Sequence, residues 1–253
     1  MADAGTASAI LATEGLTRRF GGLVAVRDVS LTLNRGELHA VIGPNGAGKT
    51  TLVGLLAGEL RPSAGRIVLD GADIGGVPAW KRTHLGIGRS FQRTNIFPTL
   101  PALENVRLAA QAVARGANLL RPAASDTKLV ETAQAALARV GLSGVAARVA
   151  GTLSNGEQRQ LEIAMTLAAH PKVLLLDEPL AGMGPEEGQR LTGLLKDLVR
   201  EHAILLIEHD MDFVFAVADR MTVMAEGTVL AQGRPDDIRA NREVQDAYLG
   251  GHA

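Results

Sequence analysis

The segment "LHAVIGPNGAGKTTLVGLLAGEL", residues 38–60, decides the fold. Leu38 to Ile42 is a short apolar run with strand character, and Lys49 to Leu60 reads as a helix. Between them "GPNGAGKTT", Gly43 to Thr51, fits the pattern G-x-x-x-x-G-K-[ST]. Its glycines let backbone N–H groups curl around a β-phosphate where side chains would block the approach. Lys49 is then expected to reach the β- and γ-phosphates, and the Thr50 hydroxyl to ligate Mg²⁺. The plain alternative is an ordinary Gly-rich turn; the Lys-Thr pair and the strand–turn–helix context argue against it.

Working outward, "LTRRFGGLVAVRDVSLTLNRGEL" shows strand-like alternation broken by Gly-Gly and Arg-Gly turns, and "GRIVLDGADI" reads as a hairpin. From about residue 92 to 153 the texture becomes rich in Ala, Leu and Arg, as in "LVETAQAALARVGL", which predicts an inserted helical subdomain. Beyond it, the buried-strand patterns "KVLLLDE" and "AILLIEHD" flank a helical run from Pro185 to Glu201. Short all-apolar strands separated by helices indicate a parallel α/β sheet. The tail gives a last hairpin and a short helix.

Composition narrows the classes. The 253 residues carry 26 basic and 27 acidic side chains, and this balance argues against a general nucleic-acid binder. No cysteine is present, which removes disulfides and thiolate metal sites. The first residues lack a basic segment followed by a long apolar one, so no signal peptide is expected. No apolar run approaches the ~18 residues of a membrane span.

Four further stretches carry chemistry. "VLLLDE" delivers Asp177 to the C-terminal edge of a buried strand, near the Mg²⁺, with Glu178 next to it to polarise an attacking water. "ILLIEHD" puts His209 just past another buried strand, where it has the reach of a γ-phosphate; a lone His there is otherwise a satisfied structural residue. Gln92, in "RSFQRTNIF", offers a neutral amide to bridge Mg²⁺ and the attacking water. In "LSNGEQ", Ser154 and Glu157 start a helix whose exposed N–H groups make a second anion site, about a hundred residues after the first.

Phe20, "GPNGAGKT", Gln92, "LSNGEQ", "LLLDEP" and His209, in this order, resemble the ATP-binding subunits of ABC transporters, from about Leu11 to Gly250. The resemblance implies a P-loop NTPase core of α/β class, with a parallel sheet, an N-terminal antiparallel β part and an inserted α-helical subdomain. It implies a catalytic core at residues 11–91 and 158–233, a helical subdomain at 92–157 and a short tail at 234–253. ATP and Mg²⁺ are the implied cofactors. Phe20 would stack on adenine, although as an aromatic it also fits a core. Gly43, Asn45, Gly46, Ala47, Gly48, Lys49, Thr50 and Thr51 would cradle the phosphates. Asp177, Thr50 and Gln92 would serve the metal, and Glu178, His209 and Gln92 the hydrolysis. Two such subunits pair head to tail, so Ser154 and Gly156 would cap the γ-phosphate held by the partner's P-loop.

Two departures stand out. Asn155 replaces a glycine, which an Asn's tolerance of Gly-like backbone would allow. Gly184, in "LAGMG", replaces the usual acid of the interface loop. Both are typical of the branched-chain amino acid importer group, which "RRFGGLVAVRDVSL" and the ending "ANREVQDAYLG" also resemble, and which includes urea and short-amide importers. That resemblance implies polytopic permease subunits, a second ATPase subunit, a separate substrate-binding protein and a cytoplasmic place on the inner membrane face. Residues Gln92 to Arg107, with exposed-looking Ile96, Phe97 and Leu100, would meet the permease. The alternatives are a soluble ABC ATPase of an assembly pathway, of the iron–sulfur type, and a lipopolysaccharide-export ATPase.

Overall fold

A computed structural model describes residues 9–90, 95–114 and 126–249. Two sheets organise it. In the first, β1 (Ala9–Phe20) pairs antiparallel with β2 (Leu23–Asn34) and with β4 (Ala64–Leu69), which in turn pairs with β5 (Ala72–Asp73). In the second, β3 (Leu38–Ile42) sits between β9 (Arg220–Ala225) and β8 (Ala203–Ile207); β7 (Val173–Asp177) and β6 (Ile87–Arg89) follow. These five are mutually parallel, and β10 (Thr228–Gly233) closes one edge antiparallel to β9.

Alternation along the parallel strands sorts their apolar side chains onto two faces, as a period of two requires. Val41, Val173, Leu175, Leu205 and Ile207 face one core with β1, β2 and helix α1 (Lys49–Ala57). Leu38, Leu174, Leu176, Ile204 and Leu206 face a second core. That core is shared with α3 (Ala102–Val113), α4 (Thr127–Arg139), α5 (Asn155–Leu167) and α6 (Pro185–Leu198). A third cluster joins Ala40, Ile42 and Val223 to α7 (Met211–Val217) and α8 (Pro235–Ala240); α9 (Arg242–Leu249) ends the described chain. The helical insertion therefore completes the core under the sheet, and the break expected after residue 157 falls inside α5. Among the described residues, no helix is long and apolar enough to cross a membrane.

Two helices are shorter than the sequence predicts. α1 ends at Ala57 rather than Leu60, because the Gly58 N–H turns back onto the Gly54 and Leu55 carbonyls. α6 ends at Leu198 rather than Glu201, and its first turn matches expectation with Pro185 at the start. The tail forms two short helices instead of one.

The end of α1 is finished by a residue from another element. Arg82, in α2 (Ala79–Leu85), is buried and donates Nη1 to the Leu55 and Leu56 carbonyls at 2.7 and 2.8 Å. Its Nη2 and Nε reach the carbonyls of Ile74 (2.7 Å) and Val77 (2.8 Å). Burial pulls the guanidinium down to about 10, still charged at neutral pH, so a cation stands at the negative end of the helix dipole. Arg82→Met removes these donors while keeping much of the bulk, and takes from the Leu56 and Val77 carbonyls the donor they have here. A loss of about 2–4 kcal/mol is expected in denaturant unfolding. A variant as stable as the parent would show that water replaces the guanidinium.

Candidate functional site

The parallel register brings three strand ends together. Ile207 of β8 pairs with Val41 of β3 on one side and with Asp177 of β7 on the other. Gly43, Glu178 and His209 each follow within two residues of that row. The C-terminal edge of such a sheet is where α/β folds bind ligands.

The turn from β3 into α1 is built around its glycines. Gly43 and Gly48 have φ of +154° and +96°. A Cβ on either would collide with a carbonyl oxygen, of Met224 and Ala25 respectively. Asn45, Gly46 and Thr50 are exposed, Gly48, Lys49 and Thr51 half-buried, and Ala47 is buried with its N–H on the Pro44 carbonyl. No side chain caps the start of α1 and no acid lies in its first turn, so its N–H groups face the turn as anion donors. The Lys49 ammonium donates to the Gly43 and Pro44 carbonyls at 2.6 and 3.0 Å. Burial lowers its pKa, and the nearby carboxylates of Glu178 and Asp177 pull it back up.

Asp177 is buried, and burial pushes its carboxyl above the ordinary value, with Glu178 adding to the push. Arg89 opposes this, with Nη2 at 3.4 Å from Oδ2, while its Nη1 pairs with Glu59 at 2.6 Å. Glu178 is half-buried with a left-handed backbone, φ +49°. His209 is 73% exposed at the rim, its Nδ1 3.6 Å from Glu208. Glu208 is a residue that sequence reading missed. Its buried carboxylate accepts N–H bonds from Leu180 (2.8 Å) and His209 (3.0 Å), tying the strand ends of β7 and β8 together. Burial pushes its pKa up, and those N–H groups hold it down in part.

Phe20 is not core: it is 42% exposed at the tip of the β1–β2 hairpin, with the Arg18 guanidinium 4.5 Å above its ring. It pairs with Leu23, two residues before the Ala25 carbonyl that abuts Gly48. Two strand residues span ~7 Å, the spacing along β2 between its pairing partner and that carbonyl. Gln92 lies outside the described residues. Phe97 is 50% exposed, as expected, whereas Ile96 and Leu100 are half-buried and Arg107 is buried against Glu104.

Ser154 is the N-cap of α5. Its hydroxyl accepts the Glu157 N–H at 3.1 Å and its own N–H donates to the Glu157 carboxylate at 2.8 Å, a complete capping box. Asn155 takes an ordinary helical position, so the Gly-like backbone allowed for it is not used. Gly156 is buried, and any Cβ there would run into the Glu187 carboxylate, which also accepts the Gly184 N–H at 3.0 Å. A side chain at 156 would therefore have to displace the Glu187 carboxylate.

The residues present suit Mg²⁺, which takes hard oxygen ligands and keeps several waters: Thr50 and Asp177 offer a hydroxyl and a carboxylate beside the phosphate turn. The ion would supply charge neutralisation for phosphate oxygens.

Comparison with known proteins bears on this edge directly. The profile described as "ABC transporter" matches residues 26–181, from β2 through the Asp177–Glu178 strand end. The chain belongs to the ABC transporter family. A second profile, described as "Branched-chain amino acid ATP-binding cassette transporter", matches residues 228–253. The high-affinity branched-chain amino acid transport ATP-binding protein BraF of Pseudomonas aeruginosa is 43% identical over 250 residues, covering 95% of this chain and 98% of that protein. An ATP-binding cassette of an ABC transporter in its ADP conformation superposes with a TM-score of 0.86 at 30% identity, covering 96% of this chain and 99% of that one. A dimeric ATP-binding cassette in a post-hydrolysis state, bound to ADP and Pi, superposes at 0.78 with 25% identity, over 89% and 99%. As an ABC cassette the chain binds ATP and hydrolyses it in support of transport.

A carboxylate can serve as a metal ligand only when ionised, and at Asp177 Arg89, with Arg159, favours that form against burial. Removing the Arg89 cation raises the Asp177 pKa further. Arg89→Gln is therefore expected to move the acid limb of the ATPase rate to higher pH. A limb at the parent's position would detach the limb from Asp177.

Proposed function

We propose that this chain is the ATPase subunit powering import of branched-chain amino acids, or of related small polar substrates, through a membrane permease. One observation carries the catalytic part: the Lys49 ammonium is near the carboxylates of Asp177 and Glu178, at a phosphate turn where Gly43 and Gly48 leave no room for a Cβ. The match at residues 228–253 and the likeness to BraF support the substrate class over the soluble-assembly and lipopolysaccharide-export alternatives. The chain divides into a catalytic core, a helical subdomain and a tail.

In this reading Phe20 stacks on adenine, and residues 43 to 51 hold the phosphates through backbone N–H groups, Lys49 and Thr50. Thr50, Asp177 and Gln92 would hold Mg²⁺, which would neutralise charge on the phosphate oxygens. Glu178 takes a proton from water as its oxygen bonds to the γ-phosphorus and the bond to the ADP oxygen breaks. His209 hydrogen-bonds the γ-phosphate from the exposed rim. Ser154 and Gly156 serve the nucleotide of a second ATPase subunit, for which the Glu187 carboxylate must leave its place over Gly156. The permease meets the exposed Phe97 and the neighbouring groove lined by Ala57, Ala79, Asn95, Ala109, Val113 and Met165. A separate binding protein selects the substrate, and the chain works on the cytoplasmic face of the membrane.

Glu178→Gln keeps the size of the side chain and loses the proton acceptor. It should retain ATP binding and slow hydrolysis by roughly 10²–10⁴-fold. A twofold drop at saturating Mg-ATP would move the base elsewhere.

The two-chain site has its own test. Lys49→Ala and Ser154→Arg proteins should each be inactive alone and recover part of the activity when mixed. A mixed pair has one site with both groups intact and one with neither. Loss of ATP binding by isolated Ser154→Arg monomer would assign α5 to its own chain's nucleotide instead.

A further inference from the structure

Arg159 lies in the second turn of α5, five residues after Ser154, and is 2% exposed. Its Nη2 donates to the backbone carbonyl oxygens of both Asp177 (2.7 Å) and Glu178 (2.8 Å). Its Nη1 donates to Glu162, one turn further along the same helix and also buried, at 2.6 Å. Helix α5 thus grips the catalytic strand end through main-chain atoms.

That grip falls where the backbone needs it. Glu178 has φ +49°, a region a glutamate enters rarely and keeps only when its surroundings hold it there. From the sheet side, the Glu178 N–H donates to the Ile207 carbonyl and the Leu180 N–H to Glu208. From the helix side, Arg159 donates to the carbonyls of Asp177 and Glu178 themselves. A guanidinium is suited to such a contact, because its planar fork meets two adjacent carbonyls and a carboxylate at once, which an ammonium does not. Glu162 balances the buried charge, so the pair avoids the cost of a lone one.

We propose that Arg159, fixed by Glu162, is a positioning residue that holds Glu178 in its left-handed backbone, so that hydrolysis in this chain depends on where α5 sits. The inference rests on the catalytic role given to Glu178 above. Ser154 and Arg159 are separated by ~7.5 Å of helix rise, within one rigid element. A γ-phosphate docked at the start of α5 and the carboxylate over this chain's own nucleotide are therefore two ends of one body. The two ATP sites of a dimer are wired to each other through α5.

The test compares the full chain with Arg159→Gln/Glu162→Gln, which removes both charges together, and with Arg159→Lys. In the double variant kcat is expected to fall by about 10–100-fold, the scale of a misplaced catalytic group, while KM for ATP stays within about twofold. Arg159→Lys should recover part of the rate. In a Glu178→Gln background the double change should slow hydrolysis no further, because the carboxylate it positions is gone; a packing defect would lower the rate in both backgrounds. Unchanged kcat, an equal loss in the Glu178→Gln background, or a raised KM alone would overturn the proposal. Should the double variant not fold, Arg159→Lys decides: a lower kcat at unchanged KM and melting temperature supports the clamp, and the parent's kcat refutes it. A Glu178→Gln protein that still turned over at the parent's rate would instead refute the catalytic reading itself, and the clamp with it.

Discussion

Ile207 has a strand on each side, and everything at the nucleotide edge depends on that placement. Its backbone lies level with Val41 and with Asp177, so the phosphate turn, the two acids and His209 start from a common row. A slip of one residue in either pairing would send half of these side chains to the wrong face and mix the two cores. The alternation of Leu174 and Leu176 against Val173 and Leu175 fixes the register, because each set has its own buried partners. Packing on both faces of the sheet thus sets the geometry of the chemistry at its end.

Buried guanidinium groups do much of the joining between elements. Arg82 finishes α1, Arg159 holds the carbonyls after β7, and Arg89 stands between Glu59 and Asp177. Each supplies several donors where a loop or helix end leaves carbonyls or carboxylates short of partners. In a chain without cysteine and with 3% aromatic residues, this kind of fastener carries the contacts between layers that a disulfide or a large ring would carry elsewhere.

The parts of the fold that rest on local pattern are legible in the sequence. The strand–turn–helix at 38–57, the apolar strands before Asp177 and Glu208, and the Ser154–Glu157 capping box all follow from neighbours along the chain. What escapes such reading depends on residues far apart. Arg159 and Glu162, three positions apart on a helix, have the spacing of a solvated ion pair; only the fold puts a strand end against them. Glu208 looks like a mere neighbour of His209 until its bond to Leu180 is seen. Gly156 lies under the Glu187 carboxylate of α6, a contact that no local pattern shows. Apolar periodicity carries α1 too far, because a glycine and an arginine from another helix settle its end.

The backbone of Glu178 has a further consequence, for laboratory evolution. A non-glycine residue in a left-handed conformation costs of order 1 kcal/mol or more, and glycine relieves it without disturbing the loop. Selection for heat resistance alone would thus favour replacing the side chain proposed to take the proton from water, and on that reading the most robust descendants would be the idle ones. Keeping a glutamate there means that a gain in thermal endurance has to be found elsewhere in the chain.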